Sequence, residues 1–565
     1  MYIILIILFP IIYNYTQSKN LIWGYIITLG SLFYNYILTG IQILFGNIEM
    51  YTTLHINNPF TNIIDFNISV ALTPLSYVFS LLVISIGFAT NIYILHYFKN
   101  EADEGGFIFW INSFIISMLL LVLANNFFTL FLGWELIGFT SFFLINFWQS
   151  KRSTLKSSFK AFSFNLVSDL FLLGVFVIFY YLTNTSDIAT FLYIINWGGV
   201  VDSNLMYVAI ILLIGGTSIK SVQIIGHLWL PDSMEAPVPA SALIHSATLV
   251  SAGIYILEKF NLILVTYGWL ENLTILGSIT ALYGGIVSAS QTDMKKLLAY
   301  STMSHCGFLM ILVSFLNFYI LIIYLFLHGL FKASTFFCAG SFIRIYGSQD
   351  TRLMGGAQRF FMTDSLLLLV CAGNLCGLPF TIGVLYKTYF LTALLCNNIS
   401  FIAIGCIVIG MLMGNIYFFR LTYYAIFDLI KWTKLGLYTS LEANKWRFFR
   451  RTNDTAFTIR NYYSAVLILV NFSLGIYFIF LWYVSWSNLE FSLDIISTYL
   501  PSYLYNIITI LYSTYFIYFY FIYSVVIGLL VFINWRKQYT WGYKLHSCNI
   551  LILLIYISNI IILYY

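Results

Sequence analysis

Residues 211–231 read Ile211-Leu212-Leu213-Ile214-Gly215-Gly216-Thr217-Ser218-Ile219-Lys220-Ser221-Val222-Gln223-Ile224-Ile225-Gly226-His227-Leu228-Trp229-Leu230-Pro231. An apolar run here carries a lysine, a glycine pair ahead of it and a Gly–His–Leu–Trp–Leu–Pro end. A simple membrane anchor needs none of these. Interrupted helices at membrane depth are tolerated only beside protein or water, and they mark transport sites. A second run holds Gly373, Gly377, Pro379 and Gly383, with Lys387 eight residues after the proline. Two such runs in corresponding halves of one chain are the pattern of repeat-built transporters.

Composition agrees with a lipid environment. The 565 residues are 61% hydrophobic and only 8% charged, with a mean hydropathy of +0.89, whereas soluble domains carry roughly 25% charged residues. A spanning helix needs about 20 apolar residues, so this length holds roughly 14 to 16 spans. Apolar runs fall near 2–15, 21–45, 68–98, 107–123, 127–148, 159–183 and 204–226, then 238–257, 262–289, 294–315, 317–345, 362–395, 400–427, 462–486, 503–533 and 548–565. They are too long and too uniformly apolar for barrel strands, which alternate. The expected fold is an all-α polytopic membrane bundle. No soluble domain fits between any two runs. Met1 to Ile12 lacks a basic leader and a small-residue cleavage site, so a retained first helix is expected there.

The net charge is +5. The densest basic stretch, Lys431 to Arg460, lies between two apolar runs and reads as a membrane-surface loop. Lipids, not nucleic acid, are the expected contact, because a nucleic-acid partner needs a clustered basic face. The seven cysteines, Cys306, Cys338, Cys371, Cys376, Cys396, Cys406 and Cys548, form no CxxC pair. They read as small core hydrophobes, with no metal site expected. Heavy use of Ile, Tyr, Phe and Asn beside 8 prolines suggests AT-rich coding, as in an organellar genome.

The intramembrane charges point to function. Glu135, Asp169, Lys220, Lys332 and Lys387 all sit inside apolar runs, with His245 and His328 among them. Tyr324, His328 and Lys332 are spaced by four and line one helix face. A charge at a helix centre costs ~2.5–3.5 kcal/mol on insertion scales. Each residue alone could be an ion pair or a helix-end group holding the bundle together, and a single histidine is often a satisfied core group. Together, beside interrupted helices, they suit proton movement. Burial lowers an amine's proton affinity and a nearby carboxylate restores it. Two unit charges ~6 Å apart at an effective ε of ~20 interact by ~3 kcal/mol, about two pKa units. Glu135 with Lys220 is the natural pair by this reasoning, and His245 and His328 are candidate relays.

At these residues the chain resembles a known family. Ala124-Asn125-Asn126, then Gly133-Trp134-Glu135, resembles the start of the antiporter-like membrane subunits of respiratory complex I, NADH:ubiquinone oxidoreductase. The run His227 to Thr248, with Pro231-Asp232-Ser233-Met234-Glu235 and Ser241-Ala242-Leu243-Ile244-His245, is similar to the subunit 5 group and its Mrp-type sodium/proton antiporter relatives. Asp293-Met294-Lys295-Lys296-Leu297-Leu298-Ala299-Tyr300-Ser301-Thr302, His328-Gly329-Leu330-Phe331-Lys332-Ala333 and Leu378-Pro379-Phe380 before Lys387 agree. The related subunit 4 is expected to carry Glu where Lys387 stands. The resemblance spans roughly residues 110 to 430.

It implies two inverted five-helix repeats with two discontinuous helices: N-terminal helices over 1–106, repeats over 107–258 and 259–430, and a basic loop with C-terminal helices over 431–565. Glu135 would be the acid of the fifth helix, Lys220 and Lys387 the lysines of the broken helices, and His245 and Lys332 central relays. Flavin (FMN), iron–sulfur clusters and ubiquinone would belong to partner subunits, with no cofactor in this chain. Other complex I subunits, above all the sister antiporter-like ones, would be its partners, and the mitochondrial inner membrane its place. Three departures stand out. The usual His-Pro-Trp is His227-Leu228-Trp229, an expected Arg partner of Asp169 is Leu166, and a histidine expected four residues before His328 is Tyr324.

Two other functions compete. A cation/proton antiporter subunit of the Mrp type would use the same charges for ion exchange. A haem-binding redox protein would need axial ligands on facing helices, for which His227, His245 and His328 are available, but the lysines beside them argue against it. The subunit 5 group typically ends in a long lateral helix and a final anchor. Residues 503–535 are apolar on all sides, whereas an interfacial helix keeps a polar stripe. They are expected to span, leaving the lateral helix shortened or absent.

Overall fold

A computed structural model of the chain describes residues 29–39, 53–56, 68–98, 104–197, 203–246, 248–357, 362–378, 381–397 and 399–428, with isolated positions between 466 and 473. The expected first helix at Met1–Ile12, Pro379, the basic loop Lys431–Arg460 and the span at 503–535 lie outside the described residues. A short helix, α1, covers 29–39. Two strands, β1 (Thr53–Ile56) and β2 (Ile68–Ala71), pair antiparallel with Thr53 opposite Ala71. This ribbon was not read from the sequence, where 68–98 is one apolar run. The outer edge of β2 is bridged at Val70 to Ala124, and Asn125 N donates to Ser69 O at 3.0 Å.

The helices follow the apolar runs closely. They are α2 (Pro74–Tyr97), α3 (Glu104–Leu123), α4 (Phe127–Ile145), α5 (Arg152–Thr183), α6 (Ile188–Trp197) and α7 (Ser203–Lys220). Then come α8 (Val238–Ser246), α9 (Leu249–Lys259), α10 (Asn261–Thr266), α11 (Leu270–Ser290), α12 (Met294–Ser314), α13 (Phe318–Tyr346), α14 (Met362–Cys376), α15 (Gly383–Cys396) and α16 (Phe401–Thr422). Nine of the described helices or helix pairs are long and apolar enough to cross a membrane, and Asn204–Lys220 and Asp364–Cys376 are shorter apolar pieces.

Local chemistry sets the ends. α2 opens on a capping box: Ser76 N donates to Thr73 Oγ1 (3.2 Å), and Thr73 N donates to Ser76 Oγ (2.7 Å), with Pro74 in the first turn. Asn126 caps α4 by accepting from Thr129 N at 2.9 Å. α13 ends at Gly347, whose φ of 66° is the left-handed position that glycine fills without strain.

Both interruptions read from the sequence are present. The first separates Lys220 from Val238 and contains two short 3-10 turns, His227–Trp229 and Asp232–Glu235. The second separates Cys376 from Gly383. Within the run 238–257 the described helices are Val238–Ser246 and Leu249–Lys259, and Thr248 Oγ1 donates to Leu243 O at 2.6 Å. From α3 onward ten apolar helices or helix pairs follow one another among the described residues, the fourth ending at Lys220 and the ninth interrupted before Lys387.

Among the described residues, cations gather at one end of the bundle. Lys151, Arg152, Lys156, Lys160, Lys295, Lys296, Arg344, Arg352 and Arg420 lie there, with Asp232, Asp293 and Asp350 paired to three of them, whereas Lys259 lies toward the other end with Asp187, Glu258 and Glu271.

Small residues let α11 approach its neighbours, as close membrane helices require. A Cβ on Gly307 would lie 2.5 Å from Thr280 Oγ1 and 2.6 Å from Gly277 O, whereas one on Gly405 would meet nothing within 4 Å. Gly307→Ala should therefore cost ~1–3 kcal/mol of stability by overpacking. Gly405→Ala should be neutral or stabilising by ~0.5–1 kcal/mol. Thermal unfolding of the purified assembly distinguishes them; equal melting temperatures would refute the packing.

Candidate functional site

The titratable residues singled out in the sequence come from six helices. Glu135 lies on α4, Asp169 on α5, Lys220 at the end of α7, His245 on α8, His328 and Lys332 on α13, and Lys387 on α15. Lys220, His245, His328, Lys332 and Lys387 are buried.

The first cluster differs from expectation. Lys220 Nζ makes its ion pair with Asp169 Oδ1 at 3.1 Å, not with Glu135. It also donates to Trp134 O at 2.6 Å and lies 3.9 Å from the centre of the Trp134 ring. Glu135 is exposed on the single chain and within electrostatic range of both Asp169 and Lys220. The acid adjoining Lys220 is therefore Asp169, although Leu166 stands where an arginine partner was expected. Glu135 stands outside it.

His245 follows. Its Nε2 lies 3.1 Å from Ser233 Oγ, which in turn lies 2.6 Å from Leu230 O. Its ring stacks on Trp229, with centroids 6.4 Å apart. The short turns of the first break thus hold the histidine. The His227-Leu228-Trp229 departure leaves a 3-10 turn, with Trp229 Nε1 donating to Ile219 O at 3.0 Å near the end of α7.

In the second half, Lys332 Nζ donates to Ser301 Oγ at 2.5 Å. Lys387 Nζ donates to Cys376 O at 2.7 Å, the carbonyl on which α14 ends. Tyr386 OH donates to Leu375 O (2.8 Å) and lies 3.1 Å from Asn374 O. Gly383 N donates to Asn374 Oδ1 at 3.1 Å, and a Cβ on Gly383 would fall 1.7 Å from Asn374 O, so only glycine fits that turn. Neither Lys332 nor Lys387 makes an ion pair among the described residues.

Sequence reading missed His305. It lies on α12, 2% exposed, with Nδ1 2.8 Å from Tyr324 OH and its ring 4.6 Å from that of His328. The available signal was a histidine in the middle of the run 294–315, four residues after Ser301. Three further cations at helix ends were also passed over. Lys259 donates to Ala124 O, Lys295 to Ala236 O at 3.0 Å, and Arg420 to Ala289 O at 2.5 Å.

These features define a polytopic helical membrane protein whose buried titratable groups sit at and between interrupted helices. Residues 124–414 match the family described as NADH:quinone oxidoreductase/Mrp antiporter, TM. The chain is 42% identical over 409 residues to NADH-ubiquinone oxidoreductase chain 5 of Paramecium tetraurelia, a match covering 69% of this chain and 70% of that protein. It is 36% identical over 329 residues to chain 5 of Phytophthora infestans, covering 56% of this chain and 49% of that one. Against a putative antiporter subunit, mnhA2, of Staphylococcus aureus (strain MRSA252), it is 31% identical over 405 residues, 67% of this chain and 50% of that one. It thus spans about half the length of the last two relatives. The solved structure of the Mrp complex from Dietzia sp. DQ12-45-1b superposes with a TM-score of 0.66 at 22% identity, covering all of this chain and 62% of that one, a likeness of fold. The chain belongs to the NADH:quinone oxidoreductase/Mrp antiporter family of membrane proteins.

Removing the carboxylate at 169 leaves a fully buried ammonium without its counter-ion, a loss typically worth ~3–5 kcal/mol. Asp169→Asn should therefore lower the melting temperature more than Glu135→Gln does. Lys220→Met in the Asp169→Asn background should recover part of the loss. If Glu135→Gln proves the more damaging, the assignment of the pair is wrong.

Proposed function

We propose that this chain is a proton-translocating membrane-arm subunit of a respiratory NADH:ubiquinone oxidoreductase, complex I. The carrying observation is that Lys332 and Lys387 are buried at the second break and beside it, each held by a neutral oxygen. An amine buried without a carboxylate has a charge state that follows its surroundings. A proton arriving at Lys220, stabilised by Asp169, has His245, Lys332, His328 and Lys387 available as successive stations. The chain 5 relatives support the complex I setting. The ten apolar helices and helix pairs are read as the two inverted repeats of that family.

Glu135 supports a partner subunit. A carboxylate facing hydrocarbon at mid-helix costs ~2.5–3.5 kcal/mol, so its exposed face is read as a contact with a sister antiporter-like subunit. In this proposal the flavin, iron–sulfur clusters and ubiquinone lie in other subunits, and the assembly resides in the mitochondrial inner membrane, with this chain organelle-encoded. A cation/proton antiporter subunit is the second reading, favoured by the Staphylococcus aureus relative. Purification with a flavin-containing, cluster-containing assembly decides between them.

Replacing Lys332 or Lys387 by Met removes a proton carrier of similar shape. In sealed vesicles it should reduce protons translocated per electron passed to quinone, while the flavin-site reaction with a soluble acceptor is unchanged. An intact assembly that pumps normally without either lysine would refute the proposal.

A further inference from the structure

α12 and α13 present facing polar ladders. Ser301 and His305 are four residues apart on α12, and Tyr324, His328 and Lys332 are spaced by four on α13, so each set lines one helix face. The rungs are Lys332 to Ser301 at 2.5 Å, His328 to His305 with ring centroids 4.6 Å apart, and Tyr324 OH to His305 Nδ1 at 2.8 Å. Beyond the last rung, the Tyr324 ring lies 4.6 Å from that of Tyr386, the residue before Lys387. His305 is also within electrostatic range of His328, Lys387 and Lys332. It therefore stands within reach of both lysines, bonded to Tyr324 and beside His328.

The residue types at this point need explaining. Position 324 carries a phenol where the family resemblance leads one to expect an imidazole. A phenol with a reference pKa of about 10 is a poor proton carrier near neutrality, whereas an imidazole near 6.5 is a good one. Across the helix interface, His305 supplies an imidazole bonded to that phenol.

We propose that His305 is a proton-relay residue of this chain, carrying the proton between Lys332 and Lys387 in place of a histidine at position 324, with Tyr324 orienting its ring. In each transfer one ring nitrogen gains a proton and the other releases one, so an N–H bond forms as another breaks and the ring returns to neutral. A purely structural His305 would only hold the Tyr324 hydroxyl, which a glutamine amide can also do. The inference rests on the proton-translocating reading of the same groups.

The test uses the full assembly in sealed vesicles, with Lys387→Met as benchmark. His305→Gln keeps a hydrogen-bonding group and removes the titratable ring. Its protons per electron should fall to the benchmark level, with the flavin-site reaction unchanged. His305→Gln combined with Tyr324→His returns an imidazole from the other helix and should restore pumping. If His305→Gln pumps normally while Lys387→Met does not, the relay role is overturned and the proposed function stands. If Lys387→Met and Lys332→Met also pump normally, the proposed function itself fails. Should His305→Gln not assemble, His305→Asn with Tyr324→His gives the reading: pumping retained sustains the relay, and pumping lost in an intact assembly overturns it.

Discussion

In hydrocarbon no water is present to accept or donate, so every backbone carbonyl released by cutting a helix must find a donor inside the protein. The break between Cys376 and Gly383 shows how this chain meets that demand. Three consecutive carbonyls at the end of α14, of Asn374, Leu375 and Cys376, face the Tyr386 hydroxyl and the Lys387 ammonium. The amine is also drawn to the negative end of the helix dipole. A lysine has three donors when charged and keeps two when neutral. It can therefore give up a proton while still satisfying the carbonyl. A group that caps a broken helix and a group that carries a proton can be the same residue, and interruption of the helix makes that combination available.

The same demand explains cations elsewhere in the bundle. Lys259 and Arg420 donate to Ala124 O and Ala289 O, at the ends of α3 and α11. At the end of α7 the donor is the Trp229 indole, acting on Ile219 O, which leaves Lys220 free to pair with Asp169 on α5 and the Trp134 carbonyl on α4. The two breaks thus use their lysines differently. Lys387 bonds the cut end of its own interrupted helix, whereas Lys220 reaches to neighbouring helices. A carboxylate beside Lys220 and only neutral oxygens at Lys387 make the two ends of the polar series electrostatically unequal. A series of proton sites that conducts in steps benefits from such inequality, since adjacent charges then settle in different places.

Much of this was legible in the sequence because depth in a membrane is linear in residue number. Apolar runs located the helices, glycines and prolines located both lysine-bearing breaks, and charges inside runs located the polar residues. Azimuth was not legible. Glu135 and Lys220 share a depth, but Asp169, on α5, points at the amine. The absence of an arginine at Leu166 does not decide the place of Asp169, since ion pairing needs only that the two groups meet. Between Ser246 and Leu249 no proline or glycine marks the division, and the described feature there is a threonine hydroxyl bonded to Leu243 O. His305 carried no spacing signal within its own helix beyond Ser301. Its importance comes from residues on α13 and α15, which only packing brings beside it.

Packing also shows why a change of residue type at 324 can be absorbed. On α13 a position four residues before His328 points at α12, so a side chain there and one at 305 occupy a shared space. In that space the Tyr324 hydroxyl meets a ring nitrogen of His305 at 2.8 Å. The surrounding walls limit what else could enter, since Phe308 and Phe390 close on Tyr324 with centroids 6.5 and 6.1 Å away. An aromatic enclosure of this kind excludes most alternative hydrogen-bond partners, so the pair at 305 and 324 must satisfy itself, and that mutual dependence fixes the ring in the line of the ladder.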